Sequence, residues 1–126
     1  MPPGGTAMSN NAAEITAWFA LRSVLDEIVN TTDYKGLDPL TQRLFEWIYL
    51  RCKEDRPLHT QEILYDSKVA SHATIQKNIS LLEKAGLIEI SSDPKDSRRK
   101  IITTTPKSHQ LVATLSQGVQ SWVQSH

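Results

Sequence analysis

The sequence has few cysteines and glycines and no long apolar run. Its 126 residues include five glycines and a single cysteine, Cys52. One cysteine excludes an internal disulfide and is typical of a reducing cytoplasm. No apolar run approaches the roughly 18 residues that a membrane-spanning helix needs, and the N-terminus lacks the charged-then-apolar pattern of a secretory leader. The chain is therefore expected to be cytoplasmic and to have no membrane partner.

Signals of catalysis and of metal binding are also missing. No serine stands in a Gly-x-Ser-x-Gly turn, and there is no glycine-rich phosphate loop. The four histidines show no ligand spacing such as His-Glu-x-x-His, and no second cysteine could complete a zinc site. The sequence therefore predicts a protein that is not an enzyme and that needs no metal and no cofactor.

The chain has no net charge, but its charges are unevenly distributed. Residues 1–66 carry six basic and ten acidic side chains, a net charge of −4, whereas residues 67–126 carry eight basic and four acidic ones, a net charge of +4. Phosphate binding depends on local charge rather than on the total. The C-terminal half is therefore the candidate for contact with nucleic acid.

The length indicates one domain. The pattern along the chain indicates that this domain is mainly α-helical with a small β-hairpin. Residues 1–10 are expected to be a disordered tail or a cloning remnant, and residues 11–126 a single domain. Apolar residues spaced by three and four predict a first helix over 11–29. Their band is broader than one core-facing stripe requires. Two interpretations stay open, since this helix could pack on two sides within one domain or also against a second subunit.

The N-terminal segment, residues 11–58, should hold a second helix as well. Asp38 and Pro39 supply an N-cap followed by proline at the first helical position. This helix should run to about Lys53. Its expected buried residues are Leu40, Leu44, Trp47, Ile48 and Leu50.

Residues 59–105 are predicted to form a helix-turn-helix followed by a β-hairpin. Thr60 is expected to cap a short helix, and Ser71 to cap the next one by accepting a hydrogen bond from the N–H of residue 73 or 74. Gly86 should end that helix in the left-handed conformation. Two short β runs, at 87–90 and 100–104, flank a turn marked by Asp93-Pro94. Thr105-Pro106 then starts the C-terminal helix of the segment 106–126.

The helix that Ser71 caps should present a polar face to solvent, because Ile75, Ile79 and Leu82 would be buried. The residues turned outward are small, polar or basic, without a carboxylate: His72, Ala73, Gln76, Lys77 and Ser80. The capping Ser71 and Thr74 complete the set of candidate DNA contacts. A glutamine can pair with an adenine edge, a lysine can reach guanine or phosphate, and a threonine or alanine methyl can touch thymine. The helix start suits a phosphate. The alternative is an ordinary amphipathic helix with a solvated face.

The tip of the predicted hairpin is basic. It contains Lys95, Asp96, Arg98, Arg99 and Lys100. An arginine can enter a narrow minor groove, where the negative potential is high. Asp96 cannot favour phosphate, but it can pair with an arginine and fix the shape of the tip. The alternative is a solvated run of charges, which is common at protein surfaces.

Residues 60 to about 108 resemble the winged helix-turn-helix of the MarR family, the multiple-antibiotic-resistance type regulators. The matching stretches are Ser71-His72-Ala73-Thr74-Ile75, Leu82-Glu83-Lys84-Ala85-Gly86-Leu87-Ile88 and Asp93-Pro94-Lys95-Asp96-Ser97-Arg98. The resemblance implies a recognition helix over 71–85 in the major groove, and Arg98 in the minor groove, held by Asp96. It also implies a homodimer built by helices 11–29 and 106–124. The family's leucine and glycine near the last helix are replaced by Thr104 and Ser108.

The sequence and this resemblance together predict a sequence-specific regulator of transcription that binds double-stranded DNA as a homodimer. Members of the family are mostly repressors, and many release DNA when a small ligand binds, so the resemblance implies an effector as well. The alternative is a protein–protein interaction module on a winged-helix scaffold, because fold does not fix function.

Two further groups of residues have open interpretations. Large aromatic side chains are usually core, but some could instead line a ligand pocket: Trp18, Phe19, Tyr34 and Trp47. Cys52 lies among basic residues, which would lower the pKa of an exposed thiol and make it a sensor of oxidants. A buried thiol at this position would be inert.

Overall fold

The computed structural model describes the backbone of residues 4–125 and the side chains of residues 16–125. The predicted class, mainly α with a small antiparallel β element after a helix-turn-helix, is confirmed. The elements in chain order are α1 Gly4–Asn30, a 3-10 turn Asp33–Gly36, α2 Pro39–Cys52, β1 Leu58–His59, α3 Thr60–Asp66, α4 His72–Lys84, β2 Ile88–Asp93, β3 Asp96–Thr104 and α5 Pro106–Ser125.

The described residues form two compact units. One extends through residue 35 and resumes at residue 114, and the other comprises residues 36–113. The helix-turn-helix and the β strands all lie in the second unit. Helix α1 begins at Gly4, whereas the sequence indicated a start near residue 11. Residues 1–3 of the predicted tail lie outside the described residues, and the division into a tail and one domain stays a prediction.

The first unit pairs α1 with the end of α5. The two helices approach so closely at Gly118 that an added Cβ would lie 2.9 Å from Cγ1 of Ile28. The exposed fractions of Trp18 and Phe19 on α1 are 61% and 63%. Neither aromatic is therefore a core residue of this chain. Across residues 4–125, none of the helices combines the length and the apolar character that crossing a membrane would require.

Helix α2 starts as predicted and buries a slightly different face. The carboxylate of Asp38 accepts hydrogen bonds from the backbone N–H of Thr41 at 2.9 Å and from its hydroxyl at 2.8 Å. Leu44 and Ile48 are buried as predicted, together with Phe45 and Tyr49, whereas Leu40 and Trp47 are half-buried. The prediction for Leu50 was wrong, because this side chain is 66% exposed. Two residues beyond Ile48 correspond to about 200° around the helix, which places Leu50 on the opposite side.

The β element is a three-stranded sheet rather than the predicted hairpin alone. Strands β2 and β3 pair antiparallel, with Ile90 opposite Ile102. Strand β1 adds to the other edge of β3, with Leu58 opposite Ile102 and His59 opposite Ile101. A strand of two residues is too short to show an alternating pattern. Its pairing with distant residues was therefore invisible in the sequence.

The buried face of α4 fixes this helix within the second unit. Ile75, Ile79 and Leu82 are buried as predicted, and α4 packs against α2, α3 and β2. Asn78 is also buried, which the apolar pattern did not indicate. Burying apolar side chains of this size stabilises a fold by about 1.5 to 3 kcal/mol each. These contacts therefore decide which side of α4 faces solvent.

The helix ends mostly follow the predicted caps. The Ser71 hydroxyl accepts from the N–H of Thr74 at 3.4 Å, and Gly86 has a φ of 77°. The cap expected at Thr60 was placed one residue late, because His59 precedes the helix and its N–H donates to Glu62 Oε2 at 2.9 Å. A glutamate at the third helical position satisfies such a donor.

The replacement of the family's glycine by Ser108 has a local structural role. The N–H of Thr105 donates to Ser108 Oγ at 2.9 Å, and the N–H of Ser108 donates to Thr105 Oγ1 at 3.1 Å. The Thr105 hydroxyl donates in turn to the carbonyl of Gly86 at 2.6 Å. The start of α5 is thereby tied to the end of α4.

We expect Gly86→Ala to lower the free energy of unfolding by about 1 to 2 kcal/mol, the usual cost of the left-handed conformation for a residue with a Cβ. Crowding would contribute little, since the new Cβ would lie 3.5 Å from Cδ of Lys107. Urea unfolding measures the effect. Gly36→Ala is the control, because an added Cβ there meets nothing within 4 Å. Equal stabilities of the two variants would contradict the expectation.

Candidate nucleic-acid interface

The solvent-facing side of α4 is polar along its first half. His72, Ala73, Gln76, Lys77 and Ser80 are exposed, as is the capping residue Ser71, while Thr74 is half-buried. No acidic residue occurs between positions 71 and 80. The predicted orientation of this face is therefore present in the structure. Contact of these residues with DNA stays a prediction.

The start of α4 is capped and positively polarised. The Ser71 hydroxyl donates to Thr74 Oγ1 at 3.0 Å while it accepts from the N–H of the same residue. The hydroxyl of the half-buried Thr74 is therefore engaged in the cap. The remaining N–H groups of the first turn carry the positive end of the helix dipole, which favours an anion.

Sequence reasoning missed Tyr65 of α3. This side chain is 65% exposed, and its ring meets the His72 ring edge-on at a centroid distance of 4.6 Å. Lys68, in the turn between the two helices, is exposed and has a φ of 53°, which is uncommon for a residue with a side chain. The segment α3 is too short for a pattern to show which side Tyr65 would face. An aromatic hydroxyl and a lysine thus flank the start of α4.

The basic tip lies between β2 and β3, and we call residues 88–104 the wing. Lys95, Arg98, Arg99 and Lys100 are exposed, and Asp96 is half-buried. The predicted pairing at the tip is present, since Arg98 Nε donates to Asp96 Oδ1 at 3.1 Å. The backbone N–H of Arg98 donates to the same oxygen, also at 3.1 Å.

The Asp96–Arg98 pair orients a side chain and contributes little to stability. The arginine side chain is 88% exposed, and solvent and salt screen an ion pair at such exposure. The side-chain and backbone hydrogen bonds from Arg98 hold the pKa of Asp96 below its ordinary value. The carboxylate therefore stays ionised at neutral pH and keeps the guanidinium at the tip. Lys100 is held separately, because its Nζ donates to Ser92 Oγ at 3.1 Å.

The base of the wing has a contact that the sequence did not reveal. His59 Nε2 lies 2.7 Å from Asp93 Oδ2, and the N–H of Lys95 donates to Asp93 Oδ1 at 2.8 Å. The hydrogen bond from His59, followed by that from Lys95, lowers the pKa of Asp93. In the sequence Asp93-Pro94 indicated only a turn. The structure shows that the same carboxylate also joins the turn to β1.

The candidates for a ligand pocket and for an oxidant sensor have other surroundings. Tyr34 is buried, and the half-buried Trp47 ring lies 4.8 Å from the guanidinium carbon of Arg51. Cys52 is half-buried, and its thiol points to the carbonyl of Ile102 at 3.6 Å. Burial raises the pKa of the Cys52 thiol, whereas an oxidant sensor requires a lowered pKa. The structure therefore favours the inert interpretation of this cysteine.

Comparison with known proteins gives the same fold. No family model matches the sequence. The transcriptional regulator HosA of Escherichia coli O111:H- is 26% identical over 68 residues, which are 54% of this chain and only half of HosA. The S. aureus MepR–DNA complex has a TM-score of 0.71 at 18% identity, covering 90% of this chain and 87% of that one. YusO from Bacillus subtilis has a TM-score of 0.67 at 19% identity, covering 97% and 82%. The predicted likeness to MarR-family regulators is thereby confirmed for the fold.

We expect Cys52 to react slowly with a thiol reagent such as Ellman's reagent in the folded protein and quickly in urea. Burial limits access and the raised pKa of this thiol reduces the thiolate fraction near neutral pH. The rate of absorbance change in the two states measures the difference. A folded-state rate equal to the unfolded rate would restore the sensor interpretation.

Proposed function

We propose that this chain is a sequence-specific, double-stranded DNA-binding regulator of transcription of the MarR type, acting in the cytoplasm as a homodimeric repressor without catalytic activity. In this proposal α4 enters the major groove and the wing lies along the minor groove. One observation carries it: an exposed face without carboxylates at the start of α4 and a basic wing belong to the same compact unit. The fold of that unit is shared with a solved MepR–DNA complex.

The residues of α4 divide into two roles by their chemistry. Gln76 can make paired hydrogen bonds to an adenine edge, and the methyl groups of Ala73 and Thr74 can contact thymine. Lys77 can reach guanine or phosphate, and Ser71 and His72 lie where the helix dipole favours a phosphate. Tyr65 and Lys68 add contacts to the backbone beside the helix start, because phosphate contacts position a protein on the duplex. Glu83 is about 9 Å further along the helix than Lys77, clear of these contacts.

The wing supplies charge without base-specific hydrogen bonds. An arginine side chain placed in a narrow minor groove reads the shape of the duplex through its potential. Arg98 suits this role, since Asp96 holds it while leaving it 88% exposed. Arg99 and Lys100, also exposed, would contact the flanking phosphates. The surface required by a protein partner would instead be apolar or mixed, which disfavours the interaction-module alternative.

The homodimer is supported by the apolar side chains of the first unit. Trp18 and Phe19 of α1 are exposed, and Val123 of α5 is 58% exposed. Trp18 and Phe19 are neighbours in the chain, and exposed apolar groups that lie together commonly mark an interaction site. A second copy covering them would place two α4 helices on half-sites about 10 base pairs apart or a multiple of that. A small-molecule effector is part of the proposal on the resemblance alone, and MepR has been solved with ethidium bromide bound.

We expect Arg98→Ala and Lys77→Ala to weaken binding to duplexes selected from a random library. Each lost phosphate contact should reduce the slope of log affinity against log salt by about 0.9. Titrations at several salt concentrations measure both quantities. Lys35→Ala, which removes an exposed lysine of the 3-10 turn, is the matched control. Slopes that stay unchanged in both variants would contradict the proposed docking.

We expect Gln76→Ala to relax base preference at one position in each half-site while leaving the salt slope unchanged, because base contacts specify and phosphate contacts position. Repeating the selection with the variant and comparing ranked sequences measures this. Gln117→Ala, at an exposed position of α5, is the control. A variant that ranks duplexes as the unsubstituted protein does would show that Gln76 does not read a base.

A further inference from the structure

The turn of the wing is anchored to β1 through the carboxylate of Asp93. One oxygen of Asp93 faces His59 Nε2 at 2.7 Å, and the other accepts the N–H of Lys95 at 2.8 Å. The side chains of His59 and Asp93 are only 14% and 13% exposed. The pairing of β2 with β3 shifts register between Ser92 and Asp93, so the regular ladder is interrupted at this point. The hydrogen bonds of Asp93 therefore hold the chain at the point where the regular pairing of β2 with β3 is interrupted.

The second ring nitrogen of His59 also faces a carboxylate. Nδ1 lies 3.5 Å from Glu62 Oε2, which in addition accepts the backbone N–H of His59. The other oxygen of Glu62 is paired with Arg56. On the side of the wing, Arg99 contributes to lowering the pKa of Asp93, after the larger effects of the hydrogen bonds. The charged groups around the ring are thus carboxylates from α3 and β2, with one arginine behind each.

The charge of Asp93 makes its contact with the ring stronger than a neutral hydrogen bond. A histidine ring donates from a nitrogen that carries a hydrogen, and Nε2 is the nitrogen that faces Asp93. Hydrogen bonds in which one partner is ionised are about twice as strong as neutral ones. The carboxylate of Asp93 therefore suits this donor better than a neutral amide oxygen would.

We propose that His59 is a positioning residue of the wing, which holds the wing turn against the helix-turn-helix through Asp93. The anchor itself is a property of the fold. Its consequence for DNA rests on the proposed function, because Lys95, Asp96 and Arg98 follow the anchored residue directly. A firmer turn spares binding the cost of ordering these side chains.

Hydrogen exchange tests the anchor without DNA. Asp93→Asn keeps the oxygen that accepts from Lys95 and removes the charge facing His59. We expect amides of residues 93–100 to exchange several-fold faster in this variant and in His59→Phe, after correction for intrinsic rates. In His59→Gln, whose amide can still donate to Asp93, exchange should stay close to that of the unsubstituted protein. Unaltered wing exchange in Asp93→Asn and His59→Phe would overturn the proposal.

Affinity for a selected duplex tests the consequence. His59→Phe and Asp93→Asn should each bind about fivefold more weakly than the unsubstituted protein, the usual contribution of one hydrogen bond. His59→Gln should restore most of the affinity. Gln117→Ala, at an exposed position of α5, is the control and should bind as the unsubstituted protein does.

The two readouts separate the two proposals. Failure of the unsubstituted protein to bind any selected duplex would refute the proposed function, while hydrogen exchange would still judge the anchor. DNA binding with a normal salt slope, but with the same affinity in His59→Phe as in the unsubstituted protein, would overturn the role of His59 alone. Urea unfolding of each variant identifies any that fails to fold. If a His59 variant fails, the exchange rates of Asp93→Asn, which is the mildest change, decide whether the proposal holds.

Discussion

The burial of one side of α4 is the constraint on which the interface depends. Ile75, Ile79 and Leu82 pack among α2, α3 and β2, and a helix with three such anchors cannot rotate without exposing them. The opposite face is therefore presented in a fixed orientation. Most polar residues of that face are exposed and available for recognition, while the His72 ring also packs against the Tyr65 ring. The apolar core of the second unit therefore sets the orientation of a polar surface on the opposite side of α4.

The wing is held by different means, because few of its side chains are buried. Ile88 and Ile102 give it an apolar base, but its tip depends on hydrogen bonds to carboxylates. Asp96 orients Arg98, and Asp93 ties the turn to His59 and Lys95. Both aspartates are held ionised by their partners, as their lowered pKa values indicate. These two aspartates thus serve to place the basic groups of the wing.

The basic and acidic residues are concentrated in different halves of the chain, as the proposed function requires. The net charge of zero conceals a basic C-terminal half and an acidic N-terminal half. Since salt screens exposed charges beyond about 8 to 10 Å, phosphate binding depends on the charges nearest the duplex rather than on the net charge. The exposed aromatic residues of α1 give the first unit a separate, apolar surface. Recognition of DNA and association with a second copy would therefore use different chemistry on different parts of the chain.

The sequence by itself determined the elements whose signals are local. Capping by Asp38 and Ser71, the left-handed Gly86, the period of α4 and the Asp96–Arg98 pair all join residues within a few positions of each other. The tertiary structure alone decided β1, the His59–Asp93 contact, the burial of Cys52 and the exposure of Trp18, Phe19 and Leu50. These depend on which surfaces meet, or on the exact rotation of a helix against its neighbours. A residue pattern specifies a periodicity, but it does not specify the distance between two groups far apart in the chain.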